Sequence, residues 1–230
     1  MNFVGLLAKL AGAPLRHNRS FLASAEQAMI ARLLPRIPST VASLHFTYIG
    51  AAGAALAALA LVGCRWSLLW LPLFLCGLTL NWLGTAFDGA VARYRGEERP
   101  SLGLFEHFAD LSSQIVLILA FGLSPFFSLL SASIVLACYL LFSAYAYLRA
   151  AAKHVEQMAY IGIGRTEFRI LMAVWPLAAS LLGLNVRGGQ GQTKVDLVMI
   201  ILATLAVCGL GAKVALDAHK IDAADKHRDA

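Results

Sequence analysis

Apolar positions along most of this chain do not alternate with polar ones; they run. Six stretches, at about 43–64, 67–87, 104–123, 128–148, 168–186 and 195–214, are predominantly apolar. Each reaches roughly the 18 residues that a helix needs to cross the hydrocarbon core of a bilayer. In lipid the backbone polar groups must bond within the segment, so these runs are expected to be helices. The period-two pattern of an outer-membrane barrel is absent. The fold class predicted is an all-α integral membrane protein with six transmembrane helices. Ahead of the first run the period changes. In "SFLASAEQAMIARLL" (20–34), Phe21, Ala25, Met29 and Leu33 share one helical face, while Glu26 and Arg32 lie elsewhere. That spacing predicts an N-terminal interfacial amphipathic helix. Pro35 and Pro38, which lack the amide donor, end it.

Small residues crowd the first span, "GAAGAALAALA" at 50–60, and predict a close helix-packing face. Gly122, Ser124 and Pro125 mark a short turn between the third and fourth spans. Residues 149–169 form a polar connection, and "RGGQGQTK" (187–194) reads as a flexible external loop. With no internal repeat, the chain divides into a juxtamembrane segment (1–42), one six-helix membrane domain (43–217) and a solvated tail (218–230).

Composition agrees: 59% of residues are hydrophobic and 14% charged, with a mean hydropathy of +0.71. The net charge of +6 is informative by position. On the six-span topology sixteen of the nineteen Lys and Arg residues fall on one side. Arg65, Arg187 and Lys194 fall on the other. By the positive-inside rule both termini and the 88–110 connection are cytoplasmic, as in a bacterial inner membrane. The basic residues orient the chain and attract membrane lipids, so no nucleic acid is needed to explain them. Cys64, Cys76, Cys138 and Cys208 all lie in apolar runs without disulfide or zinc spacing. The first residues have no basic stretch ahead of their apolar one, so no signal peptide is expected.

One stretch breaks the pattern. "FDGAVARYRGEERPSLGLFEHFAD" (87–110) carries Asp88, Glu97, Glu98, Glu106 and Asp110, five of the thirteen acids, between two apolar runs. Glu97 and Glu98 are explained by a solvated turn shared with Arg93, Arg95 and Arg99. Asp110 is not, because an apolar run starts just after it, and intramembrane acids are costly. Glu106 and Asp110, four apart, share a face; Thr85, Asp88 and Ala92 share another. Two helices joined by a short turn can point these faces together, bringing Asp88, Glu106 and Asp110 into one cluster. Such carboxylates persist together only when protonated or neutralised by a cation. An all-oxygen set favours Mg²⁺ or Mn²⁺.

The run Asp88-Gly89-Ala90-Val91-Ala92-Arg93, followed by Glu106 and Asp110, resembles the signature of the CDP-alcohol phosphatidyltransferase family, D-x2-D-G-x2-A-R-x8-G-x3-D-x3-D. "RIPSTVASLHFTYIG" (36–50) and "GRTEFRIL" (164–171) are similar to that family's entries into its first and fifth spans. The resemblance implies that the acids hold two divalent ions, and that these ions clamp the diphosphate of a CDP-linked lipid or alcohol. It further implies that Asp110 takes the proton of a hydroxyl acceptor, phosphorylated or not, as CMP leaves. Metal positions carried over are Asp88, Glu106, Asp110 and Thr85. Donor-binding positions are Gly89, Ala92, Arg93 and Gly103, the small ones letting a nucleotide approach the backbone. A homodimer belongs to the same expectation.

Three positions depart from the signature. Thr85 stands where its first aspartate is expected, Glu106 replaces its third, and Leu102 takes the place of its glycine, with Gly103 one residue on. A threonine hydroxyl can ligate Mg²⁺ but adds no charge, and Asn81 one turn earlier adds none either. Two other readings therefore stay open. One is a weak or inactive homologue that binds lipid or nucleotide or serves as a partner subunit. The other is a transporter using the intramembrane acids. Against the latter, no unwound helix or acidic relay is visible near the midplane of other spans. For a phosphorylated acceptor, Arg149, Lys153, Arg165 and Arg169 are candidate cations. For His107, packing is the expected role.

Overall fold

Backbone amides with no water to bond must bond along their own segment, and throughout the described residues this chain is helical, with no strand. The computed structural model describes residues 21–97, 99–153, 165–181 and 190–226. Its elements are α1 (Ala23–Leu33), a 3-10 turn (Leu34–Arg36), α2 (Ser43–Gly63), a second 3-10 turn (Leu68–Trp70), α3 (Leu71–Arg95), α4 (Pro100–Leu123), α5 (Leu129–Lys153), α6 (Arg165–Leu181) and α7 (Gln190–Lys226). Five segments are long and apolar enough to cross a membrane: Ser43–Gly63, Leu68–Arg95, Ser101–Leu123, Leu129–Leu148 and Lys194–Ala218. The remaining expected span, 168–186, falls on α6, whose described part has 17 residues; residues 182–186 lie outside the described ones. Residues 187–189 of the expected 187–194 loop also lie outside them, but α7 begins at Gln190, so 190–194 are helical. The same helix runs on through the expected start of the tail, to Lys226.

The small-residue run is the packing face of α2. Gly50, Gly53, Ala54, Ala57, Ala58 and Ala60 are all buried, and α3 meets them with glycines of its own. A methyl group at Gly77 would lie 2.5 Å from the Ala57 nitrogen, and one at Gly84 would lie 2.4 Å from Gly50 Cα. Two backbones in direct contact maximise dispersion where the hydrophobic effect is weak. The core beside this crossing is filled by Leu61, Phe74, Leu117 and Phe121, with the Phe74 and Phe121 rings edge to face at 5.9 Å.

α7 is held to α5 at two points along its length. Ser128 and Ser131 donate to Asp196 near one end, and Tyr145 donates to the buried Asp217 near the other. The apolar count drew attention away from both aspartates. Each sits in or at the edge of a span and has hydroxyl partners, as an acid at membrane depth requires.

The 20–34 stretch contains a helix, α1, whose Glu26 faces the neighbouring helices. Its carboxylate accepts from Trp82 Nε1 at 3.1 Å on α3 and from Thr166 Oγ1 at 3.0 Å on α6. The Leu22 amide, at the start of α1, donates to Glu167 at 2.8 Å. Phe21 stays 79% exposed. The helix is thus fastened to the spans by polar contacts.

Candidate functional site

The charged stretch folds as two helix ends and a tight turn. Gly96 adopts φ 68°, a left-handed conformation that glycine takes without strain. The Glu97 amide then reaches back to the Ala92 carbonyl at 2.9 Å, closing the end of α3. Pro100 opens α4 at a position where its missing amide costs nothing. The connection is therefore only residues 96–99, and Asp88 lies two turns inside α3. Arg95 binds the approach to α2, donating to the Val41 carbonyl at 2.6 Å and the Pro38 carbonyl at 2.8 Å.

That arrangement presses the first residue of α2 into the cluster. Ser43 Oγ, buried, lies 2.8 Å from the Asp88 backbone carbonyl and 2.8 Å from Glu106 Oε1. A methyl at Gly89 would sit 3.1 Å from Arg93 Nη1 and 3.5 Å from Glu106 Oε2, so a guanidinium group and the Glu106 carboxylate flank that glycine. The Asp88 carboxylate turns onto the Gly89 amide at 2.6 Å and lies within electrostatic reach of Glu106, Asp110 and Arg165. Asp88, Glu106 and Asp110 are thus brought to one end of the bundle.

Asp110 is held differently. Its two oxygens take two guanidinium groups, Arg165 Nη1 at 2.8 Å and Arg169 Nη2 at 2.9 Å. Arg169, only 5% exposed, also donates through Nε to Asn81 Oδ1 at 2.9 Å. Asn81, fully buried, donates in turn to the Gly50 carbonyl at 3.0 Å. A polar chain therefore crosses four helices: Gly50 on α2, Asn81 on α3, Arg169 on α6 and Asp110 on α4. Buried charges persist when paired and hydrogen-bonded in this way. The Asp110 charge beside it pushes the pKa of the Arg165 guanidinium up.

The other expected positions fall unevenly. Thr85 turns its hydroxyl back on its own helix, toward the Asn81 carbonyl at 3.1 Å and the Trp82 carbonyl at 3.2 Å. Ala92 is buried. Gly103 faces open space, with nothing within 4 Å of a methyl placed on it. His107 sits edge-on to Tyr147 at 6.3 Å, in keeping with a packing role. The side chains of Arg149 and Lys153 lie outside the described residues.

Three participants were not among the expected site residues: Ser43, Asn81 and Arg95. A sequence signal existed for one partnership. Arg165 and Arg169 are four apart, as are Glu106 and Asp110, so a basic face could have been matched to an acidic one. The roles of Ser43 and Asn81 depend on long-range register, and nothing local announces them.

The oxygen donors suit a hard divalent ion, but only part of the expected set is available to one. Among the described residues no three His, Cys, Asp or Glu side chains are grouped to hold a metal. Of the expected oxygen donors, Asp88 and Glu106 are the two carboxylates not held in the arginine pairs, and they are the ones that could ligate such an ion. Both oxygens of Asp110 are occupied by arginines, and Thr85 is back-bonded.

No family model and no curated protein matches this chain.

Proposed function

We propose that this chain is a membrane-embedded transferase of the CDP-alcohol phosphatidyltransferase kind, with its site at the cytoplasmic face of a bacterial inner membrane. The observation that carries this reading is the Ser43 hydroxyl, which joins the Asp88 turn of α3 to Glu106 of α4. The motif positions that would handle a diphosphate thereby share one helix-bundle end. In the proposed reaction the acceptor oxygen forms a bond to the phosphorus bearing the lipid or alcohol group. The bond from that phosphorus to CMP breaks, and the acceptor proton passes to Asp110. Asp88 and Glu106 are the side chains that would hold a divalent cation. Bound there, such an ion would supply charge neutralisation for the diphosphate. Arg165, 43% exposed, suits the phosphate of a phosphorylated acceptor.

A second reading, a homologue that binds lipid or nucleotide without turnover, is favoured by the Asp110 pairs. A hydroxyl or cation reaching this carboxylate has to share it with two guanidinium groups. The two readings separate in one assay. With a CDP-linked lipid, Mg²⁺ and a set of hydroxyl acceptors, the transferase reading expects CMP release that falls about a hundredfold in Asp88→Asn and in Glu106→Gln. Thr85→Asp restores the missing charge and is expected to tighten Mg²⁺. Absence of CMP release from the wild type with every acceptor, alongside retained nucleotide binding, favours the second reading.

The orientation has its own check. With the four native cysteines replaced, Glu97→Cys is expected to resist an impermeant maleimide applied to intact cells. Gln190→Cys is expected to react. Labelling in the opposite order overturns the orientation.

A further inference from the structure

A groove of about 570 Å³ runs along the side of α1 and into the turn that follows it, lined by Ala25, Ala28, Met29, Arg32, Leu33 and Arg36. Two properties distinguish it from a merely exposed helix face. It carries two guanidinium groups over an apolar floor, and α1 itself is immobilised against the spans. Glu26 holds Trp82 on α3 and Thr166 on α6, and Glu167 holds the Leu22 amide. These contacts use the face of α1 adjoining the groove. They fix the groove beside α3 and α6.

Among the described residues the arginines of the groove have no competing partner. Arg95 nearby spends its guanidinium on the Val41 and Pro38 carbonyls. Arg32 and Arg36 are exposed and make no hydrogen bond or ion pair within the described residues. Arg32 on α1 and Arg36 in the 3-10 turn that follows both line the groove. Met29 and Leu33 lie alongside and are half-buried. Two adjacent guanidinium groups match the oxygens of a phosphodiester, while an apolar floor beneath them accommodates the first methylenes of an acyl chain.

We propose that this groove is a binding site for one anionic phospholipid, its phosphate between Arg32 and Arg36 and its upper chain against Met29 and Leu33. The occupant is a lipid and not a free phosphate because the floor beside the two guanidinium groups is apolar. The site is separate from the Asp88–Glu106 cluster and does not depend on the transferase reading.

The test is lipid retention. The full chain is reconstituted in bilayer discs of equal phosphatidylglycerol and phosphatidylcholine and released into mild detergent. The lipids that remain bound are then counted by native mass spectrometry. The wild type is expected to retain phosphatidylglycerol preferentially, by roughly fivefold per arginine. Arg32→Gln with Arg36→Gln is expected to bring the ratio near unity. Arg32→Lys with Arg36→Lys keeps part of the preference, which separates loss of charge from loss of fold. Arg65→Gln, at the opposite end of the α2–α3 hairpin, is expected to leave the preference unchanged. Equal retention of the two lipids by the wild type overturns the proposal, as does an unchanged ratio in the double glutamine variant. So does a loss of equal size in Arg65→Gln, which would make the effect one of net charge. Displacement of the lipid by millimolar inorganic phosphate also overturns it, since the site would then bind phosphate without a lipid.

Discussion

Arg169→Met is expected to destabilise the protein by about 3–5 kcal/mol, the usual cost of removing one partner from a buried ion pair. Arg169 and Asp110 are both almost fully enclosed, at 5% and 7% side-chain exposure. Methionine fills a similar volume but donates nothing. Asp110 would keep Arg165 and lose its inner partner, and Asn81 Oδ1 would be left as a buried acceptor with no donor. The loss is expected to be recovered in part by a second change. Asp110→Asn in the Arg169→Met background removes the buried charge that has lost its inner partner, so the double variant should be more stable than Arg169→Met alone. Such non-additivity marks a direct pair. Denaturant unfolding in micelles measures all four species. A destabilisation below about 1 kcal/mol in Arg169→Met, or strict additivity with Asp110→Asn, would show that the pair contributes little.

Gly84→Ile is expected to prevent assembly of the membrane domain. Even a methyl at this position would stand 2.4 Å from Gly50 Cα and nitrogen and 2.6 Å from the Phe46 carbonyl oxygen. All three are backbone atoms of α2 or lie next to them in the same helix, so no rotamer change relieves the contact. The helices must separate, and with them go the Asn81–Gly50 bond and the placement of Ser43 against Asp88 and Glu106. Overpacking typically costs about 1–3 kcal/mol where side chains can yield, and here a backbone would have to. The expected result is aggregated protein on size-exclusion chromatography. Gly103→Ala provides the contrast. Open space surrounds Gly103, and alanine has the better helix propensity by about 1 kcal/mol. That variant should fold at least as well as the wild type. Recovery of monodisperse, wild-type-like Gly84→Ile protein would refute the crossing.

Helical class and the positions of most helices were legible because the bilayer imposes a length and a composition that no tertiary context can relax. Runs of twenty apolar residues at 43–64 and 128–148 have one solution in lipid. The packing role of "GAAGAALAALA" was equally legible, since small residues in a span have few other uses. The acids of the 88–110 stretch stood out because charge there is expensive. Their spacing placed Glu106 and Asp110 on one face of α4, and both do contribute to the polar cluster.

What surrounds those acids was decided by tertiary structure alone. Periodicity gives the face on which a side chain lies, but not which helix faces it or at what depth. The 96–99 turn and the Arg95 contacts set the register of α2 against α3, and that register delivers Ser43 to Asp88 and Glu106. The approach of α6 delivers Arg165 and Arg169 to Asp110, turning a carboxylate expected to face a cation into the centre of two ion pairs. Asn81 lacked charge and seemed idle in sequence, yet it joins the α2 backbone to Arg169. Thr85 occupies a motif position, but its hydroxyl satisfies its own helix because no nearer partner competes for it. Local pattern determined that this chain is a helical membrane protein with an acidic cluster near one end of its spans. The long-range hydrogen bonds and the backbone contact at Gly50 and Gly84, formed between residues far apart in the chain, determined which partner each of those acids meets.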